Sequence, residues 1–125
     1  MQKTTHHHHI ARVFANALAV AALGCSGANV AETQATVRVF KYAGSVQCTG
    51  GGADLSAMTR QLRDAGLQVI SSACGTDGRM RVAMCGASDG RVGIFELSSK
   101  DAQLAAKLGF NLLSELPEAK TVPCK

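Results

Sequence analysis

Tryptophan is missing from the chain, tyrosine occurs once, and all four histidines stand in one run, His6 to His9. Beyond that run there is no imidazole, so neither a Ser-His-Asp nor a Cys-His catalytic site can be built, and no recognisable Ser-Lys or Thr-type motif replaces them. The shortage of aromatic residues also argues against a nucleic-acid surface, which needs a basic stripe with stacking rings. Phe40, Tyr42, Phe95 and Phe110 sit in apolar patterns, and Arg60, Arg63, Arg79, Arg81 and Arg91 are scattered among acids. The two prolines, Pro117 and Pro123, both fall in the C-terminal tail, and no linker divides the rest. What remains is a chain of 125 residues, 46% hydrophobic and 18% charged, which is the composition of one ordinary globular domain.

The N-terminus reads as a segment to be removed. Residues 1–12 are polar and carry Lys3 and Arg12, residues 13–23 are mostly apolar, and residues 24–31 are rich in small side chains. That order is the pattern of a secretory signal peptide. The apolar stretch is about half of the roughly 20 residues a transmembrane helix needs. It has no amphipathic face to bury as a helix, and four consecutive histidines do not close a metal site. Ser26-Gly27-Ala28 offers small residues for ordinary signal peptidase. Ala22-Leu23-Gly24-Cys25 resembles the lipobox of bacterial lipoproteins, which implies an acylated Cys25 anchored in the outer membrane. Both routes stay open, and both predict an exported domain over residues 32–125, in the periplasm or lipid-anchored to the envelope. That domain carries 11 basic and 9 acidic residues, a net charge of +2, too balanced to imply a strong electrostatic partner.

Four cysteines remain in the domain: Cys48, Cys74, Cys85 and Cys124. An even number in a small exported domain reads as two disulfides. Zinc is the competing reading, but the intervening gaps of 25, 10 and 38 residues contain no C-x-x-C knuckle.

The local patterns define elements. Residues 36–42 (TVRVFKY) are β-branched and aromatic, a first strand. Asp54 caps a helix running to Ala65, with Leu55, Met58 and Leu62 on one side and Gly66 as its left-handed stop. Residues 67–74, 80–85 and 92–97 read as second, third and fourth strands, joined by Asp77-Gly78 and Asp89-Gly90 hairpin turns. Ser98 or Ser99 caps a second helix to Leu108, ended by Gly109, and residues 110–113 allow a short fifth strand. The order β-α-β-β-β-α predicts an α+β domain of two layers: a mixed sheet of four to five strands with two helices packed on it. The first two strands should run parallel through a crossover. Following the strand directions puts Cys48 and Cys74 at the upper edge of the sheet and Cys85 and Cys124 at the lower. The expected pairs are therefore Cys48–Cys74 and Cys85–Cys124.

The carboxylates have local roles in this reading, with Asp77 and Asp89 in turns, Asp54 and Asp101 at helix starts, and Asp64 and Glu96 left solvated. Gly50-Gly51-Gly52 reads as a flexible loop, because no Gly-Lys-Ser/Thr follows. Cys48 has a sharper alternative, since it follows a strand and precedes a helix N-terminus, where a thiol is acidified. Ser45-Val46-Gln47-Cys48 puts Ser where a C-x-x-C motif would begin. Over residues 36–109 the order of elements resembles a reduced thioredoxin or glutaredoxin fold, which implies a redox role for Cys48. The chain departs from that family in having no C-x-x-C, no proline before residues 80–85 and no helix between the second and third strands. The expectation is an exported, non-catalytic binding or envelope-structural domain without cofactor or metal. Its partner would be a protein or small molecule. The alternative is a thiol-based redox protein using Cys48.

Overall fold

The computed structural model describes residues 33–125. The apolar run 13–23, Cys25 and the cleavage site 26–28 lie outside the described residues. A strand β1 at Thr36–Tyr42 is followed by helix α1 at Leu55–Asp64 and strand β2 at Val69–Thr76. Strand β3 at Arg91–Ser98 leads through a single 3-10 turn into helix α2 at Ala102–Lys107. Two short strands close the chain, β4 at Asn111–Leu112 and β5 at Lys120–Thr121. All five form one sheet in the order β4-β1-β3-β2-β5, and every neighbouring pair is antiparallel. The domain is thus α+β in two layers, a five-stranded sheet with two helices. The units β1-α1-β2 and β3-α2-β4 interleave, which is the ferredoxin-like arrangement, here extended by β5.

Alternation along β1 and β3 explains why both sheet faces are apolar. Val39 pairs with Phe95 on one face, and the next pair, Phe40 with Ile94, points to the other. On the helix side Val39, Phe95 and Leu97 pack with Met58 and Leu62 of α1, Ala105 of α2, Leu67 and Phe110. Phe95 and Phe110 meet edge to face at 5.4 Å between ring centres. On the opposite face Phe40, Val92, Ile94 and Leu116 form a smaller core, roofed by Leu113 and Ala119. The residues between β4 and β5 therefore cross under the sheet from one edge to the other.

The caps of α1 follow the expected chemistry. The Asp54 carboxylate accepts from the Ala57 amide at 2.7 Å. Gly66, at φ 82°, lets the Leu67 amide reach back to the Leu62 carbonyl at 3.1 Å. The start of α2 differs from expectation, because the helix begins after a 3-10 turn and Ser98 makes no capping bond. Three further corrections concern the sheet. Residues 80–85 are not a strand but part of an exposed loop, so Asp77-Gly78 and Asp89-Gly90 are the two ends of that loop rather than hairpin turns. The sheet is antiparallel throughout rather than mixed, because β3 inserts between β1 and β2, which run in the same direction without touching. Finally, the tail that carries Pro117 and Pro123 adds a strand, β5, at the outer edge of β2, beyond the four to five strands expected up to residue 113.

Among the described residues two disulfides form, Cys48–Cys85 and Cys74–Cys124, with Cα separations of 5.2 and 5.3 Å. The expected pairs Cys48–Cys74 and Cys85–Cys124 do not form. With no strand descending through residues 80–85, Cys85 stays at the same end of the sheet as Cys48. The tail reaches that same end at Lys120, opposite Thr76, and turns down along β2, where the Val122 amide bonds the Cys74 carbonyl at 2.9 Å and brings Cys124 beside Cys74.

Candidate functional site

Residues 77–90 leave β2 and re-enter β3 at one point, closed by the Asp77 amide donating to the Gly90 carbonyl at 3.0 Å. Asp77 is buried to 1% exposure. Its carboxylate accepts from the Tyr42 hydroxyl at 3.1 Å, from the Arg79 amide at 3.1 Å and from the Arg81 guanidinium. Burial alone would raise the Asp77 pKa, but the Arg79 amide, Arg81 and Tyr42 outweigh it and hold the carboxyl below its ordinary value. The same contacts push the Tyr42 hydroxyl up, first by burial and then by the adjacent carboxylate. At the other end of the loop Asp89 accepts from the Ser45 hydroxyl at 2.6 Å and from the Arg91 Nε at 2.7 Å. Burial raises its pKa, while Ser45 and then Arg91 lower it by more.

Gln47 fastens the middle of the loop. Its backbone donates to the Ala87 carbonyl at 2.8 Å and accepts from the Gly86 amide at 3.1 Å. Its side-chain amide donates to the Val82 carbonyl and accepts from the Met84 amide, each at 3.0 Å. A carbonyl and an amide two residues apart are the pair a neighbouring strand would engage, so one side chain holds residues 82–84 open in strand-like form. The Cys48–Cys85 bond ties the next residue, with Cys48 itself at φ 73°.

This fastening leaves apolar side chains in water. Met80 is 101% exposed, Val82 74% and Met84 58%. Arg81 between them turns inward to Asp77. Met80, Val82 and Met84, alternating through the segment expected as a third strand, therefore face outward. Beside the loop, a cleft of about 790 Å³ opens between the start of α1, the upper ends of β2 and β3, and the tail, floored by Met58, Gly93 and the Cys74–Cys124 bond.

Of the residues singled out in the sequence, Cys48 and Cys85 come together in the loop, and Cys74 and Cys124 beside the cleft. Cys48 does not stand at a helix N-terminus, since α1 is capped by Asp54 and the left-handed glycines Gly50, Gly51 and Gly52 intervene. Glu96 is not simply solvated but accepts from the Thr36 hydroxyl at 2.8 Å and the Ser71 hydroxyl at 3.1 Å. Among the described residues no three His, Cys, Asp or Glu side chains converge as a metal site, and no helix is long and apolar enough to cross a membrane. Asp77 and Gln47 were missed as organising residues. A DG pair reads as a turn, and nothing local announces that a glutamine will replace a strand. No family model, curated protein or solved structure matches the chain.

Two disulfides fit an oxidising compartment. The fold and loop together describe a disulfide-stapled α+β domain with a loop, fastened by Asp77, Gln47 and the Cys48–Cys85 bond, whose apolar side chains are exposed.

Proposed function

We propose that the chain is an exported domain, periplasmic or anchored to the envelope through Cys25, that binds a partner and catalyses no reaction. The observation carrying this reading is the exposure of Met80, Val82 and Met84 on a loop fastened by Asp77, Gln47, Asp89 and the Cys48–Cys85 bond. Large apolar side chains held bare at one place mark an interaction surface. Fastening them in advance lowers the ordering cost of binding.

A thiol-redox role for Cys48 is the second reading. It is favoured by the exposure of the Cys48–Cys85 pair at the surface and by the left-handed backbone at Cys48. Titration of the folded protein in redox buffers separates the two. A structural bond has a potential below about −300 mV, and we expect Cys48–Cys85 there. A value near about −200 mV would transfer the protein to the redox class. Export is tested by intact mass from the native cell, which should begin near Asn29 or at an acylated Cys25. A chain recovered with Met1 would overturn export.

A further inference from the structure

We propose that the partner of the 77–90 loop is an anionic lipid surface, into whose interface Met80, Val82 and Met84 insert. The inference rests on the binding reading above and names the chemistry of what is bound.

Three observations lead there. The apolar patch is narrow: of the other large exposed apolar side chains, Ile70, Leu104 and Leu112 lie on β2, α2 and β4, and Tyr42, at the end of β1 beside the neck of the loop, turns its hydroxyl to Asp77. A specific protein interface buries about 800 Å² on each side. Three side chains supply only about half of that, whereas shallow insertion into a bilayer interface requires no complementary surface. The loop's charges are also sorted. Asp77 is buried against Arg81, and Asp89 is tied to Ser45 and Arg91. Of the loop's own charges, the one left exposed without a carboxylate partner is Arg79. A basic residue beside a short apolar tip suits phosphate headgroups around an inserted wedge. Lastly, the tip is already ordered, because Gln47 spans Val82 and Met84 and the Cys48–Cys85 bond closes the loop behind them. Insertion then costs little further conformational freedom.

The test is co-sedimentation of the oxidised domain, residues 32–125, which form a compact unit with its own core. Two kinds of vesicle are used, one of phosphatidylcholine alone and one of phosphatidylcholine and phosphatidylglycerol in equal parts. The domain should pellet with the mixed vesicles and less with the neutral ones. Met80→Ser and Val82→Ser should each weaken binding by about tenfold. Both positions are exposed, so the fold should survive, as circular dichroism would verify. Arg79→Gln should weaken binding to the mixed vesicles alone, by about fivefold. A domain that ignores both vesicles, or one whose binding is indifferent to Met80→Ser and Val82→Ser, overturns the proposal. So does self-association without lipid that Val82→Ser abolishes, which would assign the loop to a second copy. Failure in this assay leaves the binding class standing, because that class is judged by the Cys48–Cys85 potential.

Discussion

Asp77 and Gly90 are joined by a 3.0 Å backbone bond between the amide of one and the carbonyl of the other, so the loop between them hangs from a single neck. Side chains fix much of its shape beside the backbone bonds at Gln47, and the buried Asp77 carboxylate gathers Tyr42, the Arg79 amide and Arg81. Asp77→Asn keeps the size but removes the charge that satisfies Arg81. The expected cost is about 1–3 kcal/mol, which in a domain of this size lowers the melting temperature by roughly 4–20 °C. Limited trypsin digestion should in addition show faster cleavage after Arg79 and Arg81. If melting temperature and cleavage rate both match the parent protein, the carboxylate is not what organises the loop.

The same two aspartates make the loop sensitive to acid. Asp77 and Asp89 both have folded-state pKa values below the ordinary 3.8. A carboxyl whose pKa is depressed by folding contributes stability above its unfolded value. That contribution disappears as pH falls through the folded value. Stability should therefore be flat through neutral pH and decline as pH drops below about 3.8, with the loop loosening first. Denaturant unfolding over that pH range should show a shallower decline in Asp77→Asn/Asp89→Asn than in the parent. An unchanged slope in the double variant would place the acid sensitivity elsewhere.

Peptide mapping of the oxidised protein should recover Cys48 joined to Cys85 and Cys74 to Cys124, across separations of 37 and 50 residues. Chain-entropy arguments give each closure about 4 kcal/mol. The two differ in what they hold. Cys48→Ser/Cys85→Ser should free the display loop while leaving the sheet intact. Cys74→Ser/Cys124→Ser should release the tail and β5. Near-ultraviolet circular dichroism and amide exchange distinguish these outcomes, and loss of the whole sheet in the first variant would mean that the loop bond supports the core.

How much of this was legible in the sequence depends on the range of the interaction that decides each element. The caps at Asp54 and Gly66 and the strand at residues 36–42 are local patterns, and they were read correctly. Strand β4 at Asn111–Leu112 falls inside residues 110–113, where Gly109-Phe110 echoes the Gly66-Leu67 stop that precedes a strand. Residues 80–85 depart from the expected strand for a physical reason. Alternation of Met80, Val82 and Met84 between two DG pairs is what a hairpin looks like, and only the long-range ties from Gln47, Tyr42 and Cys48 make it a loop. The expected disulfide pairs fail for two reasons: a strand through residues 80–85 would carry Cys85 to the far end of the sheet, and without β5 the tail would leave Cys124 there too. The return of the tail along β2 rests on a close approach at Gly75, a residue with no side chain to announce it.

That approach gives a last expectation. A Cβ built on Gly75 would lie 2.6 Å from the Ile94 Cδ1 and 3.0 Å from the Lys120 carbonyl, both inside normal contact. The isoleucine can turn, but the carbonyl belongs to β5, whose ladder with β2 pairs Gly75 with Thr121. Gly75→Ala should thus push β5 outward and cost about 1–3 kcal/mol, the usual range for overpacking. The local readout is the Val122 amide, which donates to the Cys74 carbonyl at 2.9 Å and should exchange faster in the variant. Gly51→Ala is the comparison, since nothing lies near its Cβ position and any cost there comes only from its left-handed backbone. It should leave Val122 protected. Equal protection of Val122 in Gly75→Ala and the parent would show that β5 docks without needing the missing side chain.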